Sequence, residues 1–142
     1  MISIINEAWQ WLGFKVIEVL QTNDFGNVIF KTDKNEFWRI CPEDISCEKI
    51  ADSEKEFINI FNDLINSEDW MMTNLINIAK SKLGELEVNQ KYCLKTASVF
   101  GGKYEKANIG KINFEELILF SGEIGFQIKD MKDGEKIELK VI

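Results

Sequence analysis

The chain has 142 residues, the length of one ordinary domain, and its 45% hydrophobic and 29% charged content is that of a folded protein with a core of its own. Seventeen basic residues against 24 acidic ones leave a net charge of −7, which argues against direct binding to nucleic acid or to anionic membrane surfaces. There is no histidine, which removes Ser-His and Cys-His nucleophiles, the usual neutral-pH general base and the commonest transition-metal ligand.

Residues 3–12 have the spacing of a helix, with Ile5, Ala8, Trp9 and Leu12 on one face, Ser3 as its cap and Gly13 as its stop. The opening "MISIINEAWQWLGF" carries Glu7 and lacks a basic leading region, so it does not read as a signal peptide. No apolar run approaches the roughly 20 residues of a membrane span. A cytoplasmic location is therefore expected. The odd count of cysteines, Cys41, Cys47 and Cys93, with no C-x-x-C pair, agrees and predicts free thiols.

From Phe14 the hydrophobic period shortens. "KVIEVLQT", "NVIFKT" and "EFWRIC" are β-rich runs separated by "NDFG" and "DKN", which predicts a three-stranded antiparallel meander. Pro42 ends the third strand, and "EDISCEKIAD" reads as a loop. Ser53 and Glu56 form an S-x-x-E capping box ahead of Phe57, Ile60, Phe61, Leu64 and Ile65 at helical spacing. Another helix is expected from Ser67, with Glu68 and Asp69 at its positive end, Met71 to Leu83 supplying an apolar stripe, and Gly84 closing it.

"KYCLKTASVF" alternates as a strand. The last helix begins at Asn113, with Glu116 in the reciprocal position and Ile112 and Leu117 placed as a hydrophobic staple. Gly122 and Gly125 inside it each cost about 1 kcal/mol relative to alanine, for which close helix-to-sheet packing is the expected compensation. "KDG" then turns into a final strand, "KIELKVI". The fold class is α+β: a mostly antiparallel sheet, the N-terminal meander plus C-terminal strands, against three to four helices in one domain.

Candidate chemistry is sparse. "VFGGKYEKAN" puts Gly101 and Gly102 side by side after a strand, without the spacing of a Walker loop or of G-x-G-x-x-G. A strand-ending turn that needs positive φ accounts for the pair, with a small anion nest at Lys103 as the alternative. Acidic pairs occur at Glu43/Asp44, Asp52/Glu54, Glu68/Asp69, Glu85/Glu87 and Glu115/Glu116, mostly where capping and solvation explain them. Four tryptophans read as core, Trp11 being the candidate for exposure because it lies off its helix's stripe.

Three blocks, "FWRICPEDIS", "YCLKTASVFGGKYEKAN" and "FEELILFSGEIGFQIKDMKDGEKIELKVI", carry a resemblance from about residue 14 to the C-terminus. Its marks are Trp38, Cys41, Pro42 and Glu43 in W-x-x-C-P-E, then Leu83-Gly84, Tyr92-Cys93, Gly101-Gly102, Tyr104 and Asn108, and finally Glu116-Leu117, Phe120-Ser121-Gly122 and Gln127 to Asp130. In their order and spacing these resemble the immunity proteins that accompany type VI secretion DNase effectors, in which a GAD-like N-terminal part precedes a C-terminal immunity domain. The resemblance implies a GAD-like region over 1–50 and the immunity region over 51–142. It implies a stoichiometric, cofactor-free, monomeric inhibitor of a basic nuclease toxin rather than an enzyme. The contact expected from the sequence is Glu43 and Asp44 with Gly101, Gly102, Lys103, Tyr104, Glu105 and Asn108. The alternative is a small carboxylate-dependent enzyme, or a binding module, for a nucleotide-like anion at the glycine turn.

Overall fold

The structure, a computed structural model, describes residues 1–130. Helix α1 (Ile2–Trp9) starts one residue earlier than expected, so Ser3 lies inside its first turn and caps nothing. A 3-10 turn over Gln10–Leu12 follows and ends at Gly13, whose φ of +91° reverses the chain. Then come β1 (Val16–Thr22), β2 (Val28–Thr32), β3 (Phe37–Cys41) and β4 (Ser46–Ala51), an antiparallel sheet in that spatial order. The expected meander is there with one strand more. β4 was hidden in the segment read as a loop because Glu48 and Lys49, adjacent and both exposed, break the alternation. It is a charged edge strand, with Lys49 Nζ bound to Glu36 and Asp52.

Ser53 Oγ accepts the Glu56 N–H at 3.2 Å and starts α2 (Glu54–Ile65). The Glu56 carboxylate reaches back to the N–H of Asp52 instead of Ser53, so the capping box is shifted by one residue. The helix lays Phe57 flat on Phe37, ring centroids 4.1 Å apart. The single helix expected from Ser67 is in fact two, α3 (Glu68–Met71) and α4 (Thr73–Leu83), broken where Met72 adopts φ +49°. The break buries Trp70 and turns its carbonyl to Asn23 Nδ2 at 2.9 Å.

β5 (Gln90–Leu94) is shorter than the run "KYCLKTASVF", whose end forms a 3-10 turn over Ser98–Phe100. It pairs with β6 (Ile109–Asn113), a strand not anticipated from the sequence, in a separate two-stranded sheet. Asn113 Oδ1 accepts the Glu116 N–H and begins α5 (Phe114–Ile128) as expected. The glycines of α5 face α1 and not a sheet. A Cβ on Gly122 would overlap the Ala8 carbonyl, and one on Gly125 would stand 2.8 Å from the Trp9 ring. The expected turn and strand beyond residue 130 lie outside the described residues.

One core joins α1, the sheet and α5 through Ile5, Trp9, Phe14, Val28, Phe30, Ile40 and Ile118. Trp11 is not the exposed aromatic expected. It packs beside Trp9 and Phe126 and donates from Nε1 to the Gly122 carbonyl at 3.1 Å.

Candidate functional site

The end of β3, the 3-10 turn Pro42–Asp44, the short helix α3 and the loop 98–108 meet at one face. Pro42 stops the strand and the left-handed Ile45 (φ +48°) restarts it, so Glu43 is carried inward and Asp44 outward. Glu43 is only 6% exposed. Asn27 Nδ2 donates to both of its carboxylate oxygens, at 3.1 and 2.9 Å. Asn27 Oδ1 in turn accepts from Arg39 Nε at 3.1 Å and Nη2 at 2.9 Å. Arg39 completes its bonding on α3, with Nη1 on Asp69 Oδ2 at 2.5 Å and Nη2 on the Asp69 carbonyl at 3.2 Å, its guanidinium 5.2 Å from the Trp70 ring. The buried acid and the guanidinium are thus held apart by a neutral amide.

Two cavities open on this network, of about 380 and 290 Å³, and both are lined by Glu43, Asp69 and Tyr104. The larger adds Glu68 and an apolar wall of Met72, Leu75 and Ile78. The smaller adds Arg39, Cys41, Asp44 and Glu48. Together they present five carboxylates and one guanidinium. Among the described residues no group of three or more acidic or cysteine side chains is arranged to hold a metal ion.

Burial dominates the titration of the site. It pushes the Glu43 carboxyl from its usual 4.5 up to about 7, against the bonds from its own backbone N–H and from Asn27 and the field of Arg39. Burial, with Glu43 beside it, pushes the Cys41 thiol up to about 12, so that thiol is not a nucleophile at neutral pH. Tyr104 is also raised, first by desolvation.

Of the residues expected at a contact, Glu43, Asp44 and Tyr104 come together, Asp44 accepting a hydrogen bond from the Ser98 hydroxyl across the chain. Tyr104 is 51% exposed, as a contact residue must be. Lys103 and Glu105 flank it on the surface without lining either cavity. Gly101, Gly102 and Asn108 shape the loop. Gly101 has φ +87°, and a Cβ on Gly102 would run into the Thr96 carbonyl. Asn108 clamps the same loop, its Oδ1 accepting from the Thr96 N–H and its Nδ2 donating to the carbonyls of Thr96 and Lys103, each at 2.9 Å. The N–H groups of Gly101 and Gly102 are spent on Ser98 and Ala97, so they form no anion nest. Asn27, Arg39, Glu68 and Asp69 were not singled out as site residues. The only signal was that two of the five acidic pairs, Glu43/Asp44 and Glu68/Asp69, would converge, and their convergence depends on the sheet placing β3 against α3.

The family model for T6SS immunity protein Tdi1, C-terminal, matches residues 51–125. No curated protein sequence matches the chain. Among solved structures, the fold resembles the crystal structure of Atu4351 from Agrobacterium tumefaciens, with a TM-score of 0.59 at 18% identity over 85% of this chain. This chain spans 62% of that protein's length, and the likeness is one of fold. The matched segment is over half of the sequence and contains α2 to α4, the β5–β6 hairpin and most of α5. The chain belongs to the family of the T6SS immunity protein Tdi1 C-terminal domain.

Proposed function

We propose that this protein neutralises a secreted antibacterial nuclease by covering the basic surface with which that toxin grips DNA, in the cytoplasm of the cell that makes both. The observation that carries this reading is the cleft with five carboxylates to one guanidinium and an exposed tyrosine at its rim. A DNA-binding cleft must be basic, so the acids would stand where phosphates stand, speeding association, while Tyr104 and the Met72–Leu75–Ile78 wall would slow dissociation. On this reading residues 1–50 are the GAD-like part and supply Glu43, Asp44 and Arg39, and the family-matched segment supplies Glu68, Asp69 and Tyr104.

A second reading, that of a carboxylate-dependent enzyme, draws on Glu43, a buried acid titrating near neutrality in a concave site. Its nucleotide-anion form is disfavoured, since the cleft's acids would repel a phosphate and the glycine N–H groups are already bonded. Co-expression with the product of the neighbouring reading frame tests the first reading: restored growth and a co-purifying one-to-one complex are expected. Absence of both, with turnover by the purified chain that Glu43→Gln abolishes, would replace it with the second.

A further inference from the structure

The buried carboxylate of Glu43 stands at the meeting point of the two cavities. Among the described residues, no Lys, Arg or N-terminal nitrogen pairs with Glu43. Arg39, the one candidate in the cleft, is committed to Asn27, Asp69 and the Trp70 ring. The Glu43 oxygens take neutral donors only, Asn27 Nδ2 and the residue's own backbone N–H, and the side chain lines both cavities. A carboxylate 94% withdrawn from water and left without a counter-charge is costly to ionise. The titratable groups that share the cleft are Asp44, Glu48, Cys41 and Tyr104 with Glu68 and Asp69 from α3; of these Asp44 adds to that cost, while the bonds from the backbone N–H and Asn27 and the field of Arg39 oppose it.

The larger cavity has the shape of the missing partner. Its floor is Glu43, its rim holds Glu68, Asp69 and Tyr104, and its wall is the aliphatic surface of Met72, Leu75 and Ile78. A long cationic side chain needs both parts, apolar surface for its methylene stem and acids for its head. We propose that this cavity receives one guanidinium or ammonium side chain of the partner protein, its head on Glu43 and Asp69 beside the Tyr104 ring and its stem along α4. The proposal rests on the toxin-binding reading and specifies how that site works. Because a cation on Glu43 requires the carboxylate, binding expels its proton, and affinity rises about tenfold per pH unit until Glu43 is ionised in the free protein.

Carboxyl carbon NMR of the whole chain tests this without the toxin, the Glu43 signal being assigned by its loss in Glu43→Gln. Saturating arginine amide should draw the Glu43 midpoint down by about 1 to 3 pH units, as an opposite charge in contact does. Citrulline amide, which keeps the α-amino group and the side-chain shape and lacks only the guanidinium charge, should leave it in place. Tyr104→Ala, which removes the ring beside the bound head, should shrink the arginine-induced displacement measured against that variant's own free midpoint. No movement with arginine amide, or equal movement with citrulline amide, would overturn the proposal. If arginine amide moves Glu43 but the neighbouring toxin binds at no pH, the receptor stands and the toxin reading falls.

Discussion

The α1–α5 crossing and the Glu43 cleft sit on opposite terms with water. At the crossing the helix backbones touch: Gly122 meets the Ala8 backbone, Gly125 meets Trp9, and Trp11 bonds the Gly122 carbonyl, with a surface cavity of about 410 Å³ opening beside Trp11 and Phe126. At the cleft the chain buries a carboxylate against a neutral amide, keeps its one guanidinium on the far side of that amide, and leaves open space before both. The first arrangement has the economy of a core, in which any added atom is a fault. The second withholds a counter-charge where one more side chain would supply it. The contrast is one of charge: the crossing packs apolar groups and backbone, and the cleft holds a buried acid, which is why the proposed binding surface is the second.

The comparison breaks first at the crossing. Gly122→Val should be the most damaging change, about 3 kcal/mol or more by denaturant unfolding, because its Cβ runs into backbone that cannot step aside. A loss below about 1 kcal/mol would mean the helices are not in contact there. At the cleft, the effect is one of pH. Folding raises Glu43 from 4.5 to about 7, so the folded chain holds this proton after the unfolded chain has lost it. The group's contribution to stability is therefore full below pH 4.5 and lost as pH rises through about 7, amounting to about 3 kcal/mol. Glu43→Gln should remove that fall from the stability–pH curve, and an unchanged curve would show that Glu43 is not desolvated. Asn27→Ala should cost about 2 kcal/mol by leaving Glu43 and Arg39 without their shared partner, and less when Glu43 is already glutamine. Ser53→Ala, a cap remote from both regions, should cost about 1 kcal/mol and leave partner binding unchanged.

The two regions also differ in how far they could be read before folding. The caps at Ser53 and Asn113 were legible because donor and acceptor lie three residues apart. Ile5, Ala8 and Trp9 were legible as one helix face for the same reason of short period, and Gly122 announced a close approach, though to α1 and not to a sheet. The cleft was not legible as a cleft. Glu43 and Tyr104 were found on a resemblance, but the bonds that define the site join residues far apart in sequence, Asn27 to Glu43, Arg39 to Asp69 and Asn23 to the Trp70 carbonyl. The same distance hid the break at Met72, which exists because Trp70 is buried against Arg39. β4 and β6 escaped because their charged or short runs become strands only against β3 and β5.

That the chain acts by laying this cleft on a basic toxin surface is tested most directly by charge reversal. Glu48→Lys with Glu68→Lys reverses two exposed acids of the cleft, and Glu18→Lys with Glu115→Lys reverses two exposed acids that line neither cavity, for the same change in net charge. Titrated against the catalytically disabled product of the neighbouring reading frame, the cleft variant should bind about 100-fold more weakly than the parent. The remote variant should stay within a few-fold of it. Equal affinity of the two variants would contradict the account, since the cleft would then be no more than a share of the total charge.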